Sequence, residues 1–86
     1  MKTHYIYIVR CADGSFYTGY ALDPVHRVQV HNSGKGAKYT RSRLPVELIY
    51  TEQFETATEA HRRECQIKQL TRRQKEVLIA ENQQFP

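Results

Sequence analysis

The chain has 86 residues and a formal net charge of +4, from 13 Lys or Arg and nine Asp or Glu. This length predicts a single domain, residues 1–86, with an ordered core from about residue 4 to residue 82. The composition excludes a disulfide-stapled scaffold, a CxxC zinc site and a membrane span, because the two cysteines are far apart and no segment approaches about 20 apolar residues.

The first predicted elements are two strands joined by a hairpin. The run from Tyr5 to Ala12 is rich in Tyr, Ile and Val and leads into Asp13-Gly14, a dipeptide typical of tight turns. The return strand is predicted from Phe16 to Tyr20.

The length of the hairpin loop decides whether Tyr7 and Tyr17 share a face of the sheet. A two-residue turn opposes Arg10 to Tyr17 and separates the two tyrosines. A three-residue loop at Asp13-Gly14-Ser15, or a bulge, puts them on one face, with Cys11 opposite Tyr17 as the test. We expect this second arrangement if both tyrosines serve one site, although tyrosines in strands are usually packing residues.

A helix is predicted next, from Pro24 to about Asn32. Asp23 supplies a capping side chain, and a proline suits the first helical position because its missing N–H has no partner there. Gly34 and Gly36 end the helix.

The segment from 34 to 43 combines glycines, bases and an aromatic residue without apolar periodicity, and we expect a mobile surface loop. Residues 24–46 hold five Lys or Arg and no Asp or Glu, a pattern that attracts nucleic acid and equally fits an ordinary solvated loop. The residues predicted to bind nucleic acid are Lys35, Lys38, Tyr39, Arg41 and Arg43.

One strand and two helices are predicted in the rest of the chain. The strand runs from Val46 to Phe54, where the apolar residues partly alternate. The residues expected to share one face are Val46, Leu48 and Tyr50. The helices begin near Ala57 and Arg72, because Thr56 and Thr71 open capping-box patterns. The order ββαβαα predicts an α+β fold, a small three-stranded antiparallel sheet flanked by helices.

Three polar side chains on the predicted helices are candidates for chemistry. Arg27 and His31 are four residues apart and share a face, so both can approach one anion, although an exposed face with Asp23 paired to Arg27 is the alternative. Glu64 lies on the inward stripe of its helix, where a carboxylate needs a cation, a hydrogen bond or a rim position that reaches water. His4, His26 and His61 have no partners at metal-ligand spacing, and we expect them to be surface residues.

These residues resemble the GIY-YIG endonuclease family, in particular its small stand-alone bacterial members. Tyr5-Ile6-Tyr7 stands where the first motif ends in tyrosine, and Tyr17-Thr18-Gly19 stands for the second motif. Arg27 and His31 match the family's helix, and Glu64 matches its metal-binding glutamate. Tyr5 departs from the family because it occupies the place of the first motif's glycine.

The resemblance implies a metal-dependent endonuclease that hydrolyses phosphodiester bonds in DNA, directed to structured or single-stranded DNA with low sequence specificity, in repair or recombination. The implied catalytic residues are Tyr7, Tyr17, Arg27, His31 and Glu64. Tyr7 would be the general base, Glu64 would hold Mg²⁺ or Mn²⁺, Arg27 would stabilise the charge on phosphorus, and Tyr17 and His31 would orient the phosphate and the nucleophile. One alternative is a nucleic-acid-binding protein of the same fold with little or no catalysis, and another is an interaction module for an acidic protein.

A phenolate at Tyr7 costs about 4 kcal/mol at pH 7, given the reference pKa of about 10. Arg27, the metal and Lys35 are expected to lower that pKa, so cleavage should rise from about pH 7 to pH 9. We also expect a cytoplasmic protein, since the first residues lack the apolar run of a signal peptide, with no membrane association, no disulfide partner and a monomer as the default.

Overall fold

A computed structural model describes residues 2–82; the first residue and the last four, 83–86, lie outside this part of the chain. A three-stranded antiparallel sheet in the order β2-β1-β3 is flanked by helices, so the predicted α+β fold is confirmed. The elements are β1 (His4–Arg10), β2 (Phe16–Ala21), α1 (Pro24–Asn32), α2 (Lys38–Arg41), β3 (Glu47–Phe54), α3 (Ala57–Lys68) and α4 (Arg72–Glu81). None of the helices between residues 2 and 82 is long and apolar enough to cross a bilayer.

Capping side chains begin the three longer helices where the sequence predicts them. Asp23 accepts a hydrogen bond from the His26 N–H at 3.1 Å, and Thr56 accepts one from the Glu59 N–H at 3.2 Å. Only α4 has the complete reciprocal box, between Thr71 and Gln74.

The register of β1 and β2 puts Tyr7 and Tyr17 on one face of the sheet, as expected. Tyr7 lies opposite Gly19, and Val9 lies opposite Tyr17. The specific pairing of Cys11 with Tyr17 is therefore wrong, although the shared face is right, because the two registers differ by two residues.

The hairpin loop explains this register. It has three residues, as expected, but it consists of residues 12–14 and so begins one residue earlier than predicted. The Cys11 N–H donates to the Ser15 carbonyl at 2.8 Å, and the Gly14 N–H donates to the Cys11 carbonyl at 2.9 Å. Gly14 has φ +87°, a left-handed conformation that favours glycine and suits this type of loop.

Apolar side chains pack on both faces of the sheet. One cluster lies between the sheet and α3 and consists of Ile6, Ile8, Tyr50, Ala60 and Ile67. The other cluster lies on the α1 face, where Val28 packs against it, and consists of Tyr7, Val9, Cys11, Ala21 and Val46. The tyrosine of the first motif is thus part of a core as well as a candidate for chemistry.

A bulge in β3 overturns the predicted alternation of that strand. Tyr50 lies opposite Ile8, whereas Leu48 lies opposite Val9, so Ile49 is an extra residue between them. Leu48 consequently packs in the α1-face cluster and Tyr50 in the α3-face cluster. The expectation that these two side chains share a face is wrong.

The segment from 34 to 43 also differs from its prediction. It contains the four-residue helix α2 in place of a structureless loop, and Thr40 within that helix is completely buried. A single turn is too short to produce a periodic apolar signal, which explains why the sequence did not reveal it.

Candidate active site

Four of the five predicted catalytic residues meet on the α1 face of the sheet. Tyr7 comes from β1, Tyr17 from the neighbouring edge strand β2, and Arg27 and His31 from α1. The Tyr7 hydroxyl oxygen lies 2.8 Å from His31 Nε2. The Tyr17 ring lies 5.4 Å from the His31 ring and 6.4 Å from the Tyr7 ring, measured between centroids.

Two glycines permit this close packing. A Cβ atom added at Gly19 would lie 2.5 Å from the Tyr7 hydroxyl oxygen, and one added at Gly36 would lie 2.3 Å from His31 Nδ1. Both distances are too short for a real contact. The glycine of the second motif is therefore required by the neighbouring tyrosine, since any larger side chain would displace the phenol.

Thr40 holds the other side of the His31 ring, and no sequence signal identifies it. Its Oγ1 atom lies 2.8 Å from His31 Nδ1 and 2.9 Å from the carbonyl oxygen of Ala37. His31 and Thr40 are both completely buried. Tyr7, His31 and Thr40 thus form a continuous buried hydrogen-bonded chain.

Burial is the main cause of the pKa shifts of Tyr7 and His31. It raises the pKa of Tyr7 to about 12, the Arg27 guanidinium beside the phenol lowers that pKa in part, and the charges of Tyr17 and Glu64 raise it. Without a metal ion the pKa of Tyr7 is therefore raised overall, and Arg27 is the predicted cation that acts to lower it. Burial, and secondly the charge of Arg27, hold the pKa of His31 below its usual value, so the imidazole is neutral at pH 7.

Glu64, the fifth predicted residue, approaches from α3 and pairs with Lys68 and His61. Its Oε2 lies 2.9 Å from Lys68 Nζ and its Oε1 lies 3.1 Å from His61 Nδ1. The side chain is 16% exposed, so it has a rim position. Its charge acts on Tyr7, and the pKa of Lys68 is raised mainly by Glu64 and to a lesser extent by Tyr17. Electrostatic interactions therefore connect Glu64 to the tyrosines.

Two of the histidines expected at the surface, His4 and His61, make side-chain contacts with other residues. His61 pairs with Glu64 and packs on the Tyr20 ring at 4.2 Å between centroids. His4 Nδ1 in turn lies 2.7 Å from the Tyr20 hydroxyl oxygen. The two contacts with Tyr20 join elements that are far apart in sequence, so no spacing rule could have found them. The His61–Glu64 pair lies within α3 at a spacing of three residues.

The donor set around Glu64 fits one kind of metal ion. Between residues 2 and 82 no group of three or more His, Cys, Asp or Glu could hold a metal. A closed zinc site is therefore incompatible with the described residues. Mg²⁺ keeps several waters and is commonly bound by one or two carboxylates together with substrate phosphate, which a rim carboxylate such as Glu64 suits.

The predicted nucleic-acid-binding residues lie along one segment beside the tyrosines. Lys35, Lys38, Tyr39 and Arg41 are exposed. Arg43 is half-buried, and its guanidinium makes intramolecular contacts. It donates to Asp13 at 3.0 Å and to the Tyr39 carbonyl at 2.7 Å, and it lies 4.0 Å from the centre of the Tyr39 ring.

Tyr39 links this segment to the tyrosine cluster. Its ring stacks on Tyr17, with centroids 6.1 Å apart and an angle of 24° between the planes. The exposed basic residues therefore lie next to the tyrosine cluster that covers the buried Tyr7–His31–Thr40 hydrogen bonds.

Comparisons with known proteins agree with this geometry. A family model described as the GIY-YIG catalytic domain matches residues 3–77. A UPF0213 protein of Staphylococcus aureus is 56% identical over 81 residues, which cover 94% of this chain and 99% of that protein. The solution structure of the UPF0213 protein BH0048 from Bacillus halodurans has a TM-score of 0.63 at 49% identity, and the match covers 95% of this chain and 87% of that chain. The protein EF2693 from E. faecalis gives the same TM-score at 51% identity, over 94% and 86% of the two chains. The chain therefore belongs to the GIY-YIG nuclease family, among its small members named UPF0213.

Proposed function

We propose that the protein is a metal-dependent endonuclease that hydrolyses phosphodiester bonds in DNA. The observation that supports this most is the buried hydrogen bond between the Tyr7 hydroxyl and His31 Nε2. It joins Tyr7, the candidate general base, to His31, which can accept a proton from it. Arg27 lies beside the phenol, and the chain belongs to a nuclease family.

The hydrogen bond suggests how Tyr7 acts as general base in spite of its high pKa. A free phenolate with a pKa of about 12 costs about 7 kcal/mol at pH 7. The cost is avoided if the Tyr7 proton passes to His31 Nε2 while the phenol oxygen takes a proton from the attacking water. The water oxygen then bonds to phosphorus, the bond to the leaving oxygen breaks, and that oxygen takes a proton from solvent. The negative phosphate offsets the charge formed on His31.

Arg27 and Tyr17 are proposed to hold the phosphate. A guanidinium offers a planar set of donors to the nonbridging oxygens and stabilises the negative charge that develops on them. Arg27 already lies beside the Tyr7 phenol, so a phosphate bound there is next to the activated water. The Tyr17 hydroxyl would donate a further hydrogen bond.

Glu64 is the residue proposed to hold the metal ion, Mg²⁺ or Mn²⁺. Such an ion, when bound, supplies positive charge to the scissile phosphate and the leaving oxygen. Glu64 must exchange at least one of its two side-chain partners, Lys68 or His61, to bind it. Because both partners are exposed, this exchange costs little free energy.

The substrate proposed is structured or single-stranded DNA, bound with low sequence specificity. The exposed Lys35, Lys38 and Arg41 suit phosphates, which all sequences share, and the 40% exposed Tyr39 ring suits stacking on an unpaired base. Such substrates arise in DNA repair and recombination, which is the role we propose. The free thiols of Cys11 and Cys65 are consistent with a reducing compartment, and we propose a cytoplasmic monomer.

The decisive experiment is cleavage of labelled single-stranded, duplex and branched DNA with and without Mg²⁺, using the wild type and Glu64→Gln. We expect Mg²⁺-dependent cleavage that falls at least about 100-fold in Glu64→Gln, with DNA binding within about threefold of the wild type. Glu47→Gln is the matched control, since Glu47 is an exposed glutamate that pairs with Arg10 at 3.1 Å, and it should cleave normally.

Two results would count against the proposal. Cleavage that persists in Glu64→Gln would exclude Glu64 as the metal ligand. Salt-sensitive DNA binding without cleavage of any substrate would favour the alternative, a nucleic-acid-binding protein of the same fold.

A further inference from the structure

Thr40 is a completely buried polar residue whose hydroxyl connects two other groups. This hydroxyl lies between the Nδ1 atom of His31 and the carbonyl oxygen of Ala37, at 2.8 and 2.9 Å. Thr40 belongs to α2, whereas His31 belongs to α1, so the contact joins two elements across the glycine-containing connection between them.

The number of hydrogen atoms sets the direction of this contact. The Thr40 hydroxyl has one hydrogen, and a carbonyl oxygen such as that of Ala37 can only accept. If the hydroxyl donates to Ala37, it must accept from His31, and Nδ1 then carries the proton. A neutral imidazole with its proton on Nδ1 has an unprotonated Nε2 that can accept a hydrogen bond.

The hydrogen bond at Tyr7 is compatible with the same direction. Between residues 2 and 82, His31 Nε2 is the acceptor within hydrogen-bond distance of the Tyr7 hydroxyl. Arg27, also beside the phenol, can only donate. The opposite tautomer would present Nε2–H to Tyr7, a 1% exposed residue, and leave the hydrogen of its hydroxyl without an acceptor, at a cost of about 1–3 kcal/mol.

We propose that Thr40 is a positioning residue that fixes His31 in the Nδ1-protonated tautomer, so that Nε2 receives the proton of Tyr7. This inference rests on the proposed function for its catalytic consequence. Its structural statement, the tautomer of His31, can be tested without DNA or metal.

The surroundings of His31 support an orienting role for Thr40. Tyr7 and Tyr17 face the ring from the two strands, and Arg27 acts on it from its own helix. None of these groups contacts Nδ1; Thr40 is the side chain that does so among the described residues. A Cβ atom added at Gly36 would lie 2.3 Å from Nδ1, so this side of the ring has no room for a larger residue at that position.

The experiment compares Thr40→Val, which keeps the shape but removes the hydroxyl, with Thr40→Ser, which restores a hydroxyl. Thr18→Val is the matched control, because Thr18 is a 3% exposed threonine whose Oγ1 has no hydrogen-bond partner in the described chain. Nitrogen-15 NMR of labelled histidine at pH 7.5 reads which nitrogen of His31 carries the proton.

The wild type, Thr40→Ser and Thr18→Val should all show His31 protonated on Nδ1. In Thr40→Val the proton should move wholly or in part to Nε2. If the protein cleaves DNA, Thr40→Val should lower kcat about 10- to 100-fold with little change in DNA affinity, and Thr40→Ser should recover most of the loss.

A wild-type His31 protonated on Nε2 would overturn the proposal, and so would an unchanged tautomer in Thr40→Val. If Thr40→Val fails to fold, the wild-type spectrum alone still distinguishes the two tautomers. A protein with the expected tautomer that cleaves no DNA would contradict the proposed function and leave the assignment of Thr40 intact.

Discussion

The two faces of the sheet hold their polar groups in opposite ways. On the α1 face, Tyr7, His31 and Thr40 are buried, uncharged and joined by hydrogen bonds of 2.8 Å. On the α3 side, Glu64 lies at a partly exposed rim and pairs with Lys68 and His61, which are exposed.

The difference suits the two kinds of chemistry that we propose for the site. Proton transfer requires partners in a fixed orientation, and a dry environment fixes them because an unmade hydrogen bond there is costly. Metal binding requires a carboxylate that can change partners, and exposed ion pairs contribute only about 0–1 kcal/mol. One side of the site is therefore preformed, and the other is ready to rearrange.

The largest effect is expected from Tyr7→Phe, which removes one hydroxyl from the preformed side. Loss of the general base should lower cleavage about 100- to 10,000-fold, measured as single-turnover rate at saturating Mg²⁺. Tyr5→Phe, two residues along the same strand, should stay within about threefold of the wild type. A Tyr7→Phe protein that keeps more than a tenth of the activity would show that the buried chain is not the base.

The pH dependence separates proton transfer through His31 from a free phenolate. The pKa of His31 lies below its ordinary value of 6.5, so the imidazole is a ready acceptor from pH 7 to pH 9 and wild-type cleavage should be flat there. This replaces the rise expected from the sequence. His31→Gln should be slower and should rise up to about tenfold per pH unit, since the pKa of Tyr7 is near 12.

His26→Gln, at an exposed position of α1, is the control for that profile. A wild type whose rate rises tenfold per unit from pH 7 to pH 9 would favour a free phenolate. Folding stability should also depend on the protonation of His31. The unfolded chain binds the His31 proton more tightly than the folded protein does, because the folded-state pKa is lowered. The free energy of unfolding is therefore retained above pH 6.5 and falls as the pH drops below it.

A smaller effect is expected from Gly36→Ala, whose added methyl group clashes with His31. The added Cβ would lie 2.3 Å from His31 Nδ1 and 2.8 Å from its Cα, so the protein should lose about 1–3 kcal/mol of stability, or several degrees in Tm. Gly34→Ala meets only the strain of φ +84° in open space and should lose about 1 kcal/mol. Equal Tm values for the two variants would mean that the His31 pocket is loose.

The smallest effect is expected on the rearrangeable side, from Lys68→Met. Removing one competing cation should lower the Mg²⁺ concentration for half-maximal cleavage about two- to fivefold, which corresponds to a weak exposed ion pair. Lys75→Met on α4 is the control, because Lys75 makes no ion pair in residues 2–82. A weaker Mg²⁺ response in Lys68→Met would indicate that Lys68 positions Glu64.

Local signals in the sequence predicted most of the fold. Capping residues such as Asp23 and Thr71 determine where helices begin within a few neighbouring residues, so the helix starts could be predicted correctly. The bulge at Ile49 could not be predicted, because the extra residue is defined by its pairing with β1. The prediction for the hairpin put Tyr7 and Tyr17 correctly on one face, but it paired Tyr17 with the wrong residue. The pairing differs by two residues because the loop begins at Ala12.

The candidate site divides in the same way. Resemblance to a family identified Tyr7, Tyr17, Arg27, His31 and Glu64, and four of them meet directly. No sequence pattern identifies Thr40. Its partner, the His31 ring, is nine residues away in the sequence, and Thr40 itself lies in a helix of one turn. Burial also decided the pKa of Tyr7, and the depth of a side chain depends on the packed structure.

The helix α2 directs neighbouring side chains alternately to the solvent and to the protein interior. Tyr39 and Arg41 face solvent, and Thr40 between them holds the imidazole. A substitution that weakens the proposed nucleic-acid contact at Tyr39 or Arg41 will therefore also disturb the alignment of His31, the proposed proton acceptor, if it shifts the backbone of this turn. Engineering for tighter substrate capture is better directed at Lys35, outside the turn, where affinity and turnover can be altered separately.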